Sequence, residues 1–222
     1  MMEFYLDTAD TVQVRQFIRS LPLSGVTTNP SLVAKVRRPL SDILNELRDM
    51  LGEKTRLFVQ ILANHPDKMV EEAIKLSEQH RNLVIKIPVT LSGLEAIKQL
   101  TAQNIPTLGT AVYGAGQGFF AALAGASYIA PYVNRIDSQG GSGVLVTQEL
   151  NQLITQHCPN TQVLAASFKT PRQVLDCLLT GCSAITISPD LALQFLSDPA
   201  VFYAIEQFEQ DWQQAFNQTF IE

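Results

Sequence analysis

The sequence predicts an α/β fold, a single-domain (β/α)8 TIM barrel over residues 1–222 with an extra C-terminal helix. Eight short runs rich in β-branched or aromatic residues alternate with longer amphipathic stretches along the chain. No Pro/Ser-rich linker or change of composition divides it. Polar residues also collect where the strand runs end, which is where barrel enzymes place their active sites. A chain of 222 residues is near the low end of the usual barrel size.

An open, doubly wound sheet is the alternative that the same alternation allows. A nucleotide-binding sheet of that kind needs a glycine fingerprint directly after its first strand, and "EFYLDTAD" has no glycine. The glycines of "YGAGQG" (113–118) and "QGGSG" (139–143) have the wrong spacing. We interpret both segments as backbone turns or anion-contact loops, and the closed barrel is the better prediction.

The individual elements follow from residue periodicity. Helical spacing of apolar residues predicts helices in 66–80 and 90–104. The predicted strands are "EFYLD" (3–7), "GVTT" (25–28), "RLFVQI" (56–61), "LVIKIP" (83–88), "IPTLGT" (105–110), "SYIAPYV" (127–133), "QVLAAS" (162–167) and "AITIS" (184–188).

Composition limits the partners, metal sites and cellular location that can be expected for the protein. Hydrophobic residues make up 46% of the chain, the net charge is −5 and the pI is near 5.2, so nothing in the charge favours a nucleic acid or an anionic membrane as a partner. The cysteines are odd in number, lack C-x-x-C spacing and have only three histidines beside them, which argues against a metal site. "MMEFYLD" does not read as a signal peptide, and no apolar run reaches membrane-spanning length. We expect a cytoplasmic protein.

The segment "NLVIKIPVT" (82–90) places Lys86 in the middle of an apolar strand. An ammonium group is costly to bury unless it is paired or loses its proton. Lys86 could be a guard on an edge strand, although a barrel has no edges. The polar residues at the other strand ends favour a site around Lys86, even though two pairs among them, Asp7-Thr8 and Thr28-Asn29, could also be helix N-caps. These strand-end residues are Asp7, Thr27, Thr28, Asn29, Gln60, Thr110, Tyr132 and Ser167.

Imine formation is the chemistry that uses a buried lysine. A desolvated lysine has a lowered pKa, so its neutral amine can attack a carbonyl carbon. The protonated imine then withdraws electrons, and a neighbouring carbon–carbon bond can break to leave an enamine. Tyr132 or a carboxylate could transfer the necessary protons, and the reaction needs no metal.

Several motifs resemble the transaldolase family, and specifically its small bacterial branch, the fructose-6-phosphate aldolases. The resemblance runs from Met2 to about Trp212 and implies a (β/α)8 barrel with its Schiff-base lysine on the fourth strand, where this chain has Lys86. The motifs, in order, are "LDTAD", "GVTTNPSL", "VIKIPVT", "IPTLGTAVYGAGQG", "APYVNRID", "LAASFKTPRQ" and "GCSAITIS".

The resemblance implies catalytic roles for further residues. Asp7 matches an active-site aspartate beside the lysine and the substrate hydroxyls. Gln60, Thr110 and Tyr132 match a trio that positions the catalytic water in the aldolase branch, and Tyr132 matches the proton donor and acceptor. The Schiff base on Lys86 makes a separate cofactor unnecessary.

The resemblance also implies a set of substrate-binding residues. Asn29, in a turn shaped by Thr27, matches the asparagine that holds hydroxyls near the reacting carbon. Arg135 and Ser167 match the phosphate site. Lys169 stands where larger transaldolases have an arginine, and an ammonium group cannot make the same bidentate contact with a phosphate. We therefore expect a looser hold on the phosphate.

Two positions favour the aldolase branch of the resembled family. Its transferase branch has a glutamate and a phenylalanine where this chain has Gln60 and Tyr132. The predicted function is class I aldolase activity, the reversible cleavage of fructose 6-phosphate to dihydroxyacetone and D-glyceraldehyde 3-phosphate. A transaldolase that transfers a dihydroxyacetone unit is the alternative, and a non-catalytic sugar-phosphate binding barrel is a further one, because fold does not fix function.

The C-terminal segment 199–218 predicts an amphipathic helix. Its apolar stripe could pack as a last helix on its own subunit. In the resembled family this helix packs on a neighbouring subunit, which implies a homodecamer of two stacked pentamers. The stripe consists of Val201, Ile205, Phe208, Trp212 and Phe216.

Overall fold

Eight parallel strands follow one another around a closed barrel, and the last strand pairs with the first. The structure is a computed structural model, and it describes residues 2–221. This architecture confirms the predicted (β/α)8 barrel. The strands are β1 (Glu3–Asp7), β2 (Gly25–Thr27), β3 (Arg56–Gln60), β4 (Leu83–Pro88), β5 (Thr107–Val112), β6 (Tyr128–Pro131), β7 (Gln162–Ala165) and β8 (Ala184–Ile187).

Helices follow each strand and surround the barrel. The described residues contain α1 (Thr11–Phe17), α2 (Pro30–Val36), α3 (Leu40–Leu51), α4 (Pro66–Gln79), α5 (Leu91–Ala102), α6 (Ala115–Leu123), α7 (Val133–Ser138), α8 (Gly143–His157), α9 (Pro171–Leu179), α10 (Pro189–Gln194) and α11 (Pro199–Phe216). Within residues 2–221, none of these helices combines the length and the apolar character needed to cross a membrane.

Alternation along each strand separates the core into two parts. On β4, Ile85 and Ile87 belong to the larger core between barrel and helices, whereas Val84 belongs to a smaller cluster inside the barrel. Lys86 continues the inward-facing series and lines the cavity above this cluster. The inner cluster consists of Tyr5, Phe58, Val84, Leu108, Tyr128, Ala130, Leu164, Ala166 and Ala184.

A polar cluster closes the N-terminal end of the barrel. The hydroxyls of Tyr5 and Tyr128 donate to Glu3 Oε2 at 2.7 and 2.9 Å, and Arg56 forms an ion pair with Glu3. Burial raises the pKa of Tyr128 to about 12, so its phenol stays protonated at neutral pH. Groups that would be costly to bury singly therefore satisfy one another at this end of the barrel.

Strands β1 and β4 have their predicted bounds, the other six differ by one or two residues, and the differences at the ends of β5 and β6 bear on the site. The fifth strand continues to Val112 through a register shift against β6 between Gly109 and Val112. The sixth strand ends at Pro131, because Tyr132 makes only an isolated bridge and helix α7 begins at Val133. Both differences lie at the active-site end of the barrel, where bulges commonly redirect side chains.

The two glycine segments lead into helices, and their interpretation as backbone turns is right for "QGGSG" but only in part for "YGAGQG", because residues 115–118 belong to α6. "YGAGQG" runs into α6, and "QGGSG" ends at the start of α8, whose first turn is capped by Ser142. Within α6, Gly118 is buried and closely packed, and a Cβ there would lie 2.9 Å from Ile129 Cγ2 and 3.0 Å from Leu150. Gly116 is exposed, and a Cβ there would have nothing within 4 Å.

Helix α11 makes no buried contact with the barrel. None of its 18 residues is buried, and the apolar side chains of Val201, Phe202, Ile205 and Phe208 are about half exposed or more. Trp212 and Phe216 pack on each other, with ring centroids 4.4 Å apart. Packing of this helix on its own subunit, one of the two alternatives drawn from the sequence, is not observed.

The glycines of α6 give a matched pair of predictions. We expect Gly116→Ala to raise the free energy of unfolding by about 0.5–1 kcal/mol, because alanine is the better helix former at an exposed site. We expect Gly118→Ala to lower it by about 1–3 kcal/mol, because the new methyl group overpacks the contact with Ile129 and Leu150. Urea unfolding of both variants measures the difference, and equal effects of the two substitutions would contradict this packing.

Candidate active site

A cavity of about 270 Å³ opens at the C-terminal end of the barrel. Its walls come from the ends of strands and from the loops that follow them, as in other barrel enzymes. All the predicted site residues except Gln60 line it, and these are Asp7, Thr27, Asn29, Lys86, Thr110, Tyr132, Arg135, Ser167 and Lys169.

Lys86 stands inside this cavity with its side chain almost fully buried, at 6% exposure. Its Nζ donates a hydrogen bond of 2.6 Å to the backbone oxygen of Thr28. Burial lowers the pKa of Lys86, and the negative charge of Asp7 offsets part of that effect. A lysine in this environment has a larger fraction of neutral amine near pH 7 than a solvated one, and the neutral amine is the nucleophile.

A chain of hydroxyl groups fixes the carboxylate of Asp7. Thr27 Oγ1 donates to Asp7 Oδ1 at 2.7 Å and lies 2.6 Å from the hydroxyl of Thr186. Because a threonine hydroxyl has a single proton, the hydroxyl of Thr186 must donate to that of Thr27. Asp7 is not a helix cap, since Asp10 caps α1. The carboxylate is therefore held at the cavity wall in a defined orientation.

Tyr132 and Thr110 form a second polar pair on the wall. Their hydroxyl oxygens lie 2.8 Å apart. The ring of Tyr132 also has Arg135 Cζ at 4.8 Å from its centroid and the ring of Tyr113 at 5.8 Å. A phenol held by a neighbouring hydroxyl can donate or accept a proton during a reaction in the cavity.

Cationic and hydroxyl groups gather on one side of the cavity. Arg135 and Lys169 are exposed at its rim with Ser167 between them in the wall. Ser167 has a φ of 62°, a left-handed conformation that is uncommon for a residue with a Cβ. Its backbone oxygen accepts a bond of 2.8 Å from Asn134 N. Such conformations often occur at functional sites, and this side of the cavity suits an anionic group.

Asn29 belongs both to a helix cap and to the cavity wall. Its Oδ1 accepts a hydrogen bond of 3.0 Å from Leu32 N and so caps helix α2, as one of the alternatives from the sequence proposed. Asn29 also lines the cavity. Capping fixes the side chain and leaves its amide nitrogen without a protein acceptor within residues 2–221. Asn29 can thus be a cap and a hydroxyl-binding residue.

Gln60 lies beside the cavity but does not line it. It is half-buried in an adjacent groove of about 260 Å³, together with Thr28 and Asn29. Gln60 pairs with Lys86 in the β-sheet register, and the side chain of Lys86 reaches from β4 to Thr28, just beyond β2, across the end of the intervening strand. The predicted role of Gln60 in positioning water stays a prediction.

Four polar residues at the site were missed by the sequence analysis, and one of them is Ser188, which lines the cavity directly after β8. Thr186 lies two residues after the inward-facing Ala184, so strand alternation could have identified it. Asn134 lines the cavity from the first turn of helix α7. Tyr113 contacts both Tyr132 and Arg135, with a distance of 3.4 Å between Arg135 Nη1 and its hydroxyl. No sequence pattern indicated Tyr113, because it follows the register shift in β5.

The sulfur and histidine side chains do not form a second site. Within residues 2–221, no group of three or more His, Cys, Asp or Glu side chains is arranged to hold a metal ion. Cys158, Cys177 and Cys182 are free thiols, and burial raises the pKa of Cys177 to about 12. A thiol with that pKa is protonated and unreactive near neutral pH.

Replacement of Lys86 tests its protonation directly. Its pKa is lowered from 10.5 in the folded state, so between the lowered value and 10.5 the unfolded chain binds a proton that the folded protein does not. The stability of the wild type should therefore rise with pH through this window. We expect Lys86→Met to abolish turnover, to keep the fold, and to be more stable than the wild type at pH 7 by a margin that shrinks towards pH 10.

Urea unfolding at several pH values measures that margin. The control is Lys98→Met on the exposed side of α5, which should change the free energy of unfolding by less than about 0.5 kcal/mol. If the difference in the free energy of unfolding between Lys86→Met and the wild type stayed constant or grew with pH, the lysine pKa would not be lowered.

Comparison with protein families identifies the relatives of this barrel. The family model described as Transaldolase/Fructose-6-phosphate aldolase matches residues 4–221, nearly the whole chain. Members of this family act on sugar phosphates through a Schiff base with a lysine, without a metal, as class I aldolases or transferases. The barrel fold and the buried lysine in its cavity agree with that match. The chain therefore belongs to the transaldolase/fructose-6-phosphate aldolase family.

Proposed function

We propose that this protein is a class I aldolase that reversibly cleaves fructose 6-phosphate to dihydroxyacetone and D-glyceraldehyde 3-phosphate, with Lys86 as the Schiff-base residue. The observation that carries the proposal is the placement of Lys86, which is buried in the cavity at the barrel mouth with a lowered pKa. Membership of the family supports Schiff-base chemistry on sugar phosphates in general. The assignment of Lys86 as the reacting lysine, of cleavage as the reaction and of fructose 6-phosphate as the substrate is our proposal.

The first step joins the substrate to the enzyme. The neutral amine of Lys86 attacks C2 of the ketose, and uptake of one proton with loss of water gives a protonated imine. Asp7 lies on the same wall, where its fixed carboxylate can accept hydrogen bonds from substrate hydroxyls. Asn29, whose amide nitrogen has no acceptor among the described residues, can bind another hydroxyl near C2.

The second step breaks the bond between C3 and C4. A base removes the proton of the C4 hydroxyl, the C3–C4 electron pair moves into the imine, and glyceraldehyde 3-phosphate leaves. The remaining enamine accepts a proton at C3, and water hydrolyses the imine to dihydroxyacetone and free lysine. Tyr132, held 2.8 Å from Thr110, is the proposed proton carrier in both transfers.

The phosphate is proposed to bind between Arg135, Ser167 and Lys169. Arg135 can form a bidentate contact, whereas the ammonium of Lys169 acts as a point charge. Both side chains are exposed at the rim, so water screens their attraction for the phosphate. This arrangement favours a moderate phosphate affinity and tolerance of unphosphorylated acceptor aldehydes.

Tyr132 is the reason for preferring the aldolase reaction to the transaldolase reaction. Release of dihydroxyacetone requires a proton for the enamine and an activated water, and a phenol provides a relay that a phenyl ring cannot. Gln60 matches the aldolase branch in sequence but lies outside the cavity wall, so the structural support comes from Tyr132. Transaldolase activity is the second candidate, and a binding barrel without catalysis is the third.

A pair of assays separates these candidates. Borohydride reduction in the presence of dihydroxyacetone should leave a covalent adduct on Lys86, and binding without any adduct would leave the non-catalytic barrel. The protein is then given fructose 6-phosphate alone while glyceraldehyde 3-phosphate is measured. Steady release supports the aldolase. Release that stops after about one equivalent per site and resumes with erythrose 4-phosphate identifies a transaldolase.

The role of Tyr132 is tested by removing its hydroxyl. We expect Tyr132→Phe to keep borohydride trapping at Lys86 but to lower the cleavage rate about 10²- to 10⁴-fold, because only proton transfer is lost. Tyr203→Phe, on the exposed helix α11, is the matched control and should have no effect on cleavage. Full cleavage activity in Tyr132→Phe would show that another group carries the proton.

Helix α11 supports a proposed homodecamer of two pentamers in which the helix packs on a neighbouring subunit. Its apolar side chains are uncovered in the single chain, and a helix with such a surface is stabilised by burial against another chain. The decamer itself is taken from the resemblance noted in the sequence.

Truncation tests this assembly. We expect a variant lacking the residues after Pro199 to be monomeric or much smaller than the full-length protein, with its barrel still folded, because α11 buries nothing against the barrel. Light scattering measures the mass, and circular dichroism reports the fold. A monomeric full-length protein would contradict the assembly and leave the proposed chemistry intact.

A further inference from the structure

Strand β5 changes the direction of its side chains near its end. Leu108 and Thr110 both face the inside of the barrel and line the cavity. Simple alternation would place Val112 inside as well, yet Val112 is fully buried in the outer core. The change occurs at Ala111, which has a φ of 56°, and it coincides with the register shift against β6. One extra residue in β5 produces both effects.

This bulge brings Thr110 and Tyr113 into contact with Tyr132. Thr110 stays inside, 2.8 Å from the Tyr132 hydroxyl. Tyr113, instead of Val112, faces the mouth of the barrel, where its ring contacts that of Tyr132 and its hydroxyl lies 3.4 Å from Arg135 Nη1. The surroundings of the proposed proton carrier therefore depend on the conformation of Ala111.

The conformation of Ala111 needs support from the rest of the protein. A left-handed φ is unfavourable for a residue with a Cβ and persists only where neighbouring groups hold it. A glycine at this position would adopt the same φ without strain.

Gln117 provides that support from the first turn of α6. Its Oε1 accepts a bond of 2.9 Å from Tyr113 N, and its Nε2 donates to Val89 O at 2.9 Å and Ala111 O at 3.1 Å. The same Val89 donates its own backbone N–H to Thr110 O at 3.0 Å. One amide group thus joins the end of β4, the bulge in β5 and the start of α6.

The amide of Gln117 has no donor left for a substrate. A primary amide has two N–H donors, and both are used on backbone oxygens. Gln117 also does not line the cavity. Any effect of this residue on the reaction must therefore act through the groups that it holds.

We infer that Gln117 is a positioning residue, which holds the bulge at Ala111 so that Thr110 and Tyr113 stay on Tyr132. This inference rests on the proposed function, because it assigns Gln117 to proton transfer by Tyr132. Formation of the imine at Lys86 does not require the bulge.

A double-mutant cycle with Tyr132 tests this role. We expect Gln117→Leu to keep borohydride trapping of dihydroxyacetone at Lys86 within about twofold, and to lower kcat about 10- to 100-fold with little change in KM, as misplacement of a reacting group does. In the Tyr132→Phe background the same substitution should lower kcat less than about threefold, because its effect acts through the missing hydroxyl.

The second variant relies on the strain at Ala111. Adding Ala111→Gly to Gln117→Leu should restore part of kcat, because glycine adopts the required φ without the amide. Gln117→Glu keeps an acceptor for Tyr113 N and replaces the leucine variant if that protein does not fold, with a smaller loss expected. Gln152→Leu, exposed on α8, is the control and should have wild-type kinetics.

The outcomes distinguish the inference from the proposed function. Equal losses of kcat in both backgrounds, or a parallel loss of trapping and cleavage, would mean that Gln117 has only a structural role, and the inference would be wrong. Wild-type protein that gives no adduct at Lys86 would overturn the proposed function and the role of Gln117 with it.

Discussion

The site depends on one constraint, the burial of a primary amine at the mouth of a closed barrel. Lys86 has 6% of its surface exposed, and its ammonium donates to the backbone oxygen of Thr28. A carboxylate in direct contact would stabilise the ammonium form, whereas here Thr27 and Thr186 hold Asp7 at the wall. Desolvation therefore has the larger effect on the amine, and the negative charge of Asp7 would favour the proposed protonated imine.

The polar side chains at the two ends of the barrel differ in their hydrogen-bond partners. At the closed end, Glu3, Arg56 and two tyrosines satisfy one another's hydrogen bonds. At the open end, Asn29 has an amide nitrogen and Lys169 an ammonium without protein acceptors within residues 2–221. A group that is satisfied by its neighbours stabilises the fold, and a group that is not can bind a ligand.

Much of the fold and most of the cavity wall could be predicted because both follow from a period of two residues. Alternation along the strands predicts that Lys86 faces inward, and parallel strands bring their C-terminal ends together. Tyr113 was beyond that reasoning, since the extra residue at Ala111 reverses the alternation and nothing local marks it. For Gln60, the sequence predicted the position in the strand but not the surroundings of the side chain. Its strand position is as predicted, but its side chain lines an adjacent groove and not the cavity.

The pairing of β1 with β8 has a consequence for the order in which the protein forms. Glu3 pairs with Ala184, and the hydroxyl chain that fixes Asp7 ends at Thr186, so these parts of the site come from opposite ends of the sequence. Because β8 is synthesised after the other strands, β1 cannot complete its pairing, and the cavity wall cannot form, until β8 is present. Contacts of such long sequence separation form slowly. A ribosome-bound chain that ends before β8 would carry Lys86 but would lack Thr186, so the proposed reactivity towards sugar phosphates would arise only after the nascent chain has closed its barrel.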